Sequence, residues 1–538
     1  MTATSTSAWE EVVTAALLGT DRRTPPDAVL TPGKDAPAAL LDAAALHTVR
    51  RRAGLLPAPA AARPEPAPHD ARPQLPVAAR RRLAQLLADR SVPSHAGGRR
   101  GTAPDLTELL PQWLAGANEH GYQAPSSLLP ALLDAARART DLRPQALAFA
   151  GTRGLWLARL NPEWKFALRG ASGGAVLPDV TDAEAVQRLW DEGLFAERVA
   201  LLAAVRVHDA GAALALLAAT WGTERAEDRL MFLDSLRTRL SDADEPFLEQ
   251  ALSDRSRNVR ATAAELLSAL PHSALAGRMA ARAASCVGLD RSGDASRASI
   301  AVEAPHECDA DMQRDGVVPN APSGRGERSW WLGQLVEAAP LSTWPGRLGG
   351  RTAEEIVALP VAEDWGQELH AAWCRAAVRQ RDAEWSRALL GAPASPPETG
   401  PGTSSLAERA KLLATLPAEE RASWVAEFIA AHGLSEAFQL LGVCAVPWAE
   451  PLGRSVVDAL DIARDAGSYP WSFSGVMGLA ERCLDPAEAS RLELLTATPD
   501  ETEGASPGAG GYWSEAFQRL VSTLRLRAAM RVELGGAP

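Results

Sequence analysis

The chain has 538 residues, of which 46% are hydrophobic and 23% are charged, and its formal net charge is −12. This much apolar material suffices for a continuous core and excludes a wholly disordered chain. The acidic balance repels phosphate, so it disfavours nucleic-acid binding that is independent of sequence. The length fits roughly three or four ordinary domains, or one solenoid of about ten helix pairs.

The N-terminal region is predicted to form a helical cap over residues 1–55. Apolar residues recur at the helical period in residues 9–19 and again in residues 38–53. Residues 56–76 are rich in proline and alanine, a composition typical of an extended or flexible linker. The cap is therefore expected to be set apart from the helices that follow it.

Residues 77–285 are predicted to form a helical solenoid, and its clearest unit is a helix pair at residues 242–271. The second helix of this pair has apolar residues three and four positions apart, among them Leu267. Ser256 is placed to cap this helix with its hydroxyl, and Pro271, which has no N–H, is placed to end it. One helix pair cannot bury its own apolar faces, so similar pairs should stack on both sides.

The turn of this helix pair contains Asp254, and its second helix opens with Val259 and Arg260, followed by small residues and leucines. This run resembles a HEAT repeat. In that family the turn Asp and the helix Arg commonly hydrogen-bond between successive repeats, which implies a structural ladder role for Asp254 and Arg260. The resemblance implies an all-α fold, an α-solenoid of stacked antiparallel helix pairs.

Three short runs are shared with a wider family: residues 15–22 (AALLGTDR), residues 270–273 (LPHS) and residues 314–316 (RDG). With the HEAT-like unit, they make the whole chain similar to an uncharacterised bacterial family of unknown function. Members of that family tend to be encoded near MoxR-type ATPases and proteins with von Willebrand A domains. The resemblance therefore implies protein partners, with an AAA+ ATPase of MoxR type as the candidate.

The helical period breaks over residues 286–328, which are predicted to form an irregular insertion with one short β-like run. A second helical solenoid is predicted for residues 329–538, with loops at 391–405 and 500–511. Candidate interaction residues are Arg255 and Arg257, which project from the turn of the HEAT-like unit, and Trp330 and Trp331, which open the helix after the insertion.

The sequence contains few combinations of residues that could bind a metal or support catalysis. Potential metal ligands crowd into residues 306–311 (HECDAD), but zinc sites usually use two separated ligand pairs, and no second His/Cys pair has that spacing. The sequence contains neither a GxxxxGK[ST] phosphate loop nor a GxSxG elbow. We therefore predict no catalytic residue, no cofactor and no metal.

The expected function is that of a non-enzymatic protein-interaction scaffold or adaptor. One alternative is a nucleic-acid-binding HEAT-like protein of the DNA alkylation repair type, which would use Arg255, Arg257 and the upstream Trp221. The other is a metal-dependent enzyme that uses the 306–311 loop. We expect a cytoplasmic location, because residues 1–10 lack a basic and apolar leader and the five cysteines contain no CxxC pair. No stretch approaches the ~20 apolar residues of a membrane span.

Overall fold

The computed structural model describes residues 3–23, 35–53, 64–67, 69–88, 102–170, 177–178, 180–290, 298–395, 405–497 and 508–535. The chain divides into two compact units, residues 1–68 and 69–538. In the first unit, helices α1 (Ala3–Leu18) and α2 (Ala36–Ala53) pack together through a small apolar cluster that includes Val12 and Leu40. This unit covers the residues for which the sequence predicts a helical cap.

The second unit begins with α3 (Val77–Ala88), α4 (Leu106–Glu119), α5 (Leu129–Ala138), α6 (Arg143–Leu160) and α7 (Lys165–Gly170). These five helices, which we call the N-terminal block, enclose a hydrophobic cluster of their own. Trp113 and Phe149 meet edge to face within it, with ring centroids 5.6 Å apart. Such a contact adds to the area that the two rings bury.

Residues 69–76 pack against the N-terminal block, although the sequence predicts a linker as far as residue 76. Arg72 Nη2 donates to the carbonyl of Phe149 at 3.1 Å. Gly151 has a φ of +56°, and a Cβ there would lie 2.2 Å from Arg72 Nη2. This proline-rich stretch is therefore fixed by a long-range contact, which local composition cannot reveal.

Seven helices follow: α8 (Ala183–Glu192), α9 (Phe195–His208), α10 (Ala210–Thr220), α11 (Ala226–Ser235), α12 (Glu245–Ala251), α13 (Arg257–Ser268) and α14 (Ala274–Cys286). The pair α12 and α13 matches the predicted HEAT-like unit in extent. Helix α9 packs on α11, and α11 packs on α13. Leu267 is fully buried, so this face of α13 belongs to the core, as its spacing predicts.

The start of α13 differs from the prediction. Ser256 is the N-cap residue, but its hydroxyl makes no capping hydrogen bond. Instead, the Asp254 carboxylate accepts the N–H of Ser256 at 2.8 Å. The capping role predicted for Ser256 is therefore wrong, because Asp254 satisfies the backbone of this turn. The helix ends at Ser268, ahead of Pro271.

The described part of the insertion contains ordered secondary structure. Strands β1 (Val287–Asp290) and β2 (Ser299–Val302) pair antiparallel, and the short helix α15 (Ala310–Arg314) follows. The sequence predicts only the second of these strands. The sequence places residues 287–290 in the irregular insertion, and they form a strand because they pair with β2, which local pattern does not predict.

Asp315 anchors the insertion to α14. Its carboxylate is fully buried and lies 2.9 Å from Arg278 and 2.7 Å from Arg282. Burial alone would raise the pKa of Asp315, but these arginines outweigh it and the pKa is lowered. The next residue, Gly316, has a φ of +96°, and a Cβ there would lie 2.4 Å from Ala264 Cβ on α13. The ion pairs of Asp315 and the close packing of Gly316 therefore explain the run RDG at residues 314–316.

The remaining helices are α16 (Glu327–Ala338), α17 (Thr343–Arg347), α18 (Ala353–Val357), α19 (Gly366–Gln380), α20 (Ala383–Leu390), α21 (Leu406–Leu413), α22 (Ala418–His432), α23 (Leu434–Leu441), α24 (Glu450–Asp465), α25 (Ser474–Cys483), α26 (Ala489–Leu492) and α27 (Ala509–Glu533). One hydrophobic core extends from Val186 to Leu524. Apart from its one hairpin, the described chain is all-α, as predicted. None of the helices described is long and apolar enough to cross a membrane.

The last helix, α27, joins two cores. Its first half contributes Phe517 and Leu520 to the core that extends from Val186. Met530 at its end, and Leu534 just beyond, belong to the cluster of the N-terminal block. An ion pair between Arg82 of α3 and Glu533, at 2.7 Å, fixes this end. Helix α27 thus covers the preceding helices, as its amphipathic pattern predicts, and also reaches the N-terminal block.

Candidate functional site

Asp254 connects two successive helix pairs. Its carboxylate forms an ion pair with Arg229 of α11, and the side chain of Asp254 is only 3% exposed. Arg260, the other residue assigned to the ladder, donates to the carbonyls of Asp254 at 2.7 Å and Arg255 at 3.1 Å. The contact between pairs is therefore made by Arg229, and Arg260 holds the backbone of its own turn.

Arg255 and Arg257 are both exposed, and neither side chain has a hydrogen bond or ion pair within the described part of the chain. Arg257 borders a small cavity of about 120 Å³ together with residues of the insertion. Trp221, the aromatic residue of the nucleic-acid alternative, is 8% exposed and packs against Phe247, with centroids 4.9 Å apart. Its ring is therefore part of the core and is not displayed for stacking on a base.

Trp330 and Trp331 hold the end of the insertion. The indole N–H of Trp330 donates to Val318 O at 2.9 Å, and that of Trp331 donates to Pro319 O at 2.7 Å. Trp331 is buried, whereas Trp330 is half-buried and has the Arg325 guanidinium 5.3 Å from its ring centroid. These contacts give both tryptophans a packing role, and only Trp330 remains partly accessible.

The 306–311 loop does not gather its potential ligands. Asp309 caps α15 by accepting the N–H of Met312 at 2.7 Å. His306 lies 3.8 Å from Glu303, and both side chains are largely exposed. No group of three or more His, Cys, Asp and Glu side chains among the described residues could hold a metal ion.

The five cysteines are free thiols. Burial raises the pKa of Cys374 to about 12 and that of Cys444 to about 11. Because the thiolate is the reactive form, these two side chains are poor nucleophiles at neutral pH. Their environment is that of structural cysteines.

A groove of about 700 Å³ crosses several helices of the second unit. Its lining comes from the chain just after α11 and from α13, α16, α19 and α21. Six basic residues line it, against three acidic residues, Glu265, Glu337 and Glu408. We call it the basic groove, and its basic residues are Arg237, Arg239, Arg375, Arg379, Arg381 and Lys411. The excess of three positive charges contrasts with the net charge of −12 on the whole chain.

Three of these arginines have acidic partners within the groove. Arg237 forms two parallel hydrogen bonds with Glu265, at 2.9 and 3.0 Å. Hydrogen bonds with Glu265 and Asp234 raise the pKa of Arg237. Glu337 is shared by Arg375 and Arg379, so one carboxylate faces two guanidinium groups. Arg237 and Arg375 each have a second carboxylate outside the groove lining, Asp234 at 2.7 Å and Glu368 at 4.0 Å, so nearby acidic groups meet the charge of both arginines.

The other three basic residues have no acidic partner in the described chain. Arg239 Nη1 donates to the carbonyls of Val207 and His208 at 2.8 and 3.0 Å, at the C-terminal end of α9. Arg381 and Lys411 are exposed, and their side chains make neither a hydrogen bond nor an ion pair with any described residue. Two cations of the basic groove are therefore available to a ligand.

Arg239 and Arg381 also share an unusual backbone. Their φ angles are +55° and +52°, and they are the non-glycine residues with positive φ in the described chain. Arg381 follows α19 directly, where the N–H of Asp382 donates to Ala377 O at 3.0 Å, the pattern of a Schellman helix end. Glycine usually occupies this position because the Cβ of other residues is crowded there. Residues that keep such a conformation tend to cluster at functional sites.

The pattern of the sequence does not predict this site. Arg381 falls inside residues 367–390, where the apolar period continues across the break between α19 and α20, with neither Gly nor Pro to mark it. Lys411 did carry a signal, since it is one of three lysines, with Lys34 and Lys165, in a chain that otherwise uses arginine. The groove is lined by separate segments that lie between residues 237 and 411 of the sequence. The spacing of apolar residues along the chain does not predict that these segments come together.

Comparison with known proteins gives one match. Neither the curated proteins nor the solved structures contain a match to this chain. A family model matches residues 11–534, nearly the whole chain, and its description is "Family of unknown function (DUF5691)". Because the match runs through both compact units and every helix that lines the basic groove, the chain belongs to this family of unknown function.

Proposed function

We propose that the protein is a non-enzymatic scaffold or adaptor that binds other proteins through the basic groove. The observation that carries the proposal is the groove itself, which has a volume of about 700 Å³, is open to solvent and is lined by several helices. A concave surface formed by rigid helices suits recognition of a partner segment, because the site is formed before the partner arrives.

We further propose that the protein acts in the cytoplasm with a MoxR-type ATPase and a von Willebrand A domain protein. The five free thiols support a reducing compartment. The choice of partners follows from the gene neighbourhood that the sequence resemblance implies. In this arrangement the scaffold would hold one protein of the system in reach of another.

The test uses the purified protein with the MoxR-type ATPase and the von Willebrand A domain protein of the same genome. A photo-crosslinking amino acid replaces Val378, a half-buried residue of the groove lining. The matched control carries it at Arg188, which is exposed on α8 and outside the groove. We expect an adduct with one of the two proteins from position 378 only. Equal adducts from both positions, or none, would count against the proposal.

A further inference from the structure

We infer that the basic groove binds an acidic segment of a partner protein, and that Arg381 and Lys411 hold its carboxylates. The inference rests on the proposed function and adds the chemistry of the partner. Both side chains are exposed in the groove and have no partner in the described chain. A guanidinium presents a planar fork that matches a carboxylate, and an ammonium adds a compact charge.

The backbone of Arg381 is the independent observation. A left-handed conformation disfavours a side chain, and here the side chain has neither a hydrogen bond nor an ion pair within the described chain. Arg381 lies at the C-terminal end of α19, where a cation is favourable beside the partial negative charge. The helix end thus favours a cation, and a carboxylate ligand would add a second reason for a charged side chain on this left-handed backbone.

The groove suits a peptide better than a nucleic acid. Proteins that bind single strands use aromatic side chains on which bases stack, and none of the described residues that line the groove is aromatic. Apolar side chains lie beside the cations instead, among them the half-buried Leu240 and Val378. A long polyanion would also meet the acidic remainder of the chain. The expected ligand is a short acidic segment with interspersed apolar residues.

The experiment measures fluorescence anisotropy of a labelled twelve-residue peptide, three repeats of Glu-Leu-Glu-Glu, on the full-length protein. Comparison probes have Gln or Lys in place of Glu, and a fourth probe is a single-stranded oligonucleotide of equal charge. The variants are Arg381→Gly, Lys411→Ala and the double variant. Arg188→Ala removes one exposed arginine from α8 and is the matched control.

We expect the Glu peptide alone to bind, more weakly as salt rises, because exposed ion pairs are screened. The double variant should lose at least tenfold in affinity, and Arg188→Ala less than twofold. Melting curves confirm that each variant is folded. The inference is overturned if the Glu peptide does not bind, if the Gln peptide binds equally, if the double variant binds unchanged, or if the oligonucleotide binds more tightly. In each of these cases an adduct from position 378 with either of the two proteins would leave the scaffold proposal standing, and the absence of any such adduct would remove both proposals.

Discussion

Arg381 occupies a helix end at which glycine is the favoured residue, so replacing it with glycine should stabilise the fold. We predict that Arg381→Gly raises the free energy of unfolding by up to about 1 kcal/mol, since the left-handed backbone no longer crowds a Cβ. Urea denaturation measures the change. Arg381→Ala is the control, because it removes the same charge and keeps the Cβ. A less stable glycine variant would show that the arginine side chain supports the fold.

Asp315 should make the insertion sensitive to acid. Its folded-state pKa is lowered, so its contribution to stability is present above the unfolded value near 3.9 and is lost as pH falls through the folded value. We predict that Asp315→Asn costs about 2–3 kcal/mol at pH 7, because Arg278 and Arg282 lose their shared counter-charge. Thermal melting between pH 3 and pH 7 tests both points, and the variant should lack the parent's extra acid sensitivity. Asp311→Asn, at an exposed neighbour, should change stability little.

Leu267 tests the packing of α13. Its side chain is fully buried between neighbouring helices, so Leu267→Asp places an unpaired charge in the core. We predict a loss of more than about 3 kcal/mol in unfolding free energy. Ala261→Asp on the exposed face of the same helix is the matched control. If both variants melt like the parent, then the core assignment of Leu267 fails.

At the scale of helices, sequence periodicity predicted most of what the structure contains. A helix with one buried stripe must repeat its apolar residues every three or four positions, and for that reason the pattern over residues 242–271 predicts the pair α12 and α13. The failures have two causes. Strand β1 depends on its pairing with β2, which the pattern of its own residues does not record. The break at Arg381 is a local helix end at which an arginine stands where glycine is usual, so the composition does not mark it.

The turn before α13 shows the same limit on a smaller scale. Serine is a common N-cap residue, so Ser256 was the reasonable expectation. Asp254 lies two residues earlier and accepts the N–H of Ser256 while it pairs with Arg229. One carboxylate thus serves both the turn and the preceding helix α11. A local capping rule cannot anticipate a residue that has a second, distant partner.

The same turn allows a test of the nucleic-acid alternative. Arg255 and Arg257 are exposed and unpaired in the described chain, as phosphate contacts would need to be. Each phosphate neutralised adds roughly one to the slope of log affinity against log salt. We predict that a gel shift detects no duplex DNA binding at physiological salt. The double variant Arg255→Ala, Arg257→Ala should give the same result as the parent. Micromolar binding that falls steeply with salt and disappears in the double variant would favour the alternative.

At the scale of the whole molecule, the sequence predicts neither the basic groove nor the contact of α27 with the N-terminal block. The groove brings residue 237 beside residue 411, and α27 brings Glu533 to Arg82. Both of these long-range contacts form only when the helices between them have packed in succession. A period of three to four residues specifies which face of a helix is buried, but not which distant helix covers that face.

The joining role of α27 can be tested by truncation. A chain ending at Leu526 loses Met530 and Leu534 from the cluster of the N-terminal block, together with the Arg82–Glu533 ion pair. We predict that limited proteolysis then cleaves within residues 102–170 at least tenfold faster, while residues 183–290 stay protected. Glu533→Gln, which removes only the ion pair, should have a small effect. Unchanged cleavage of the truncated chain would show that α27 does not stabilise the block.

The position of Met530 and Leu534 also has a consequence for synthesis. These residues complete a cluster whose other members, such as Trp113, leave the ribosome 530 − 113 = 417 residues earlier. At roughly 5–20 residues per second, that interval lasts on the order of 20–80 s. During this time the nascent N-terminal block exposes the apolar surface that α27 later covers. Helix α27 therefore covers this surface only after the block has been synthesised, and a chain that stops before α27 exposes an apolar patch that chaperones and proteases can recognise.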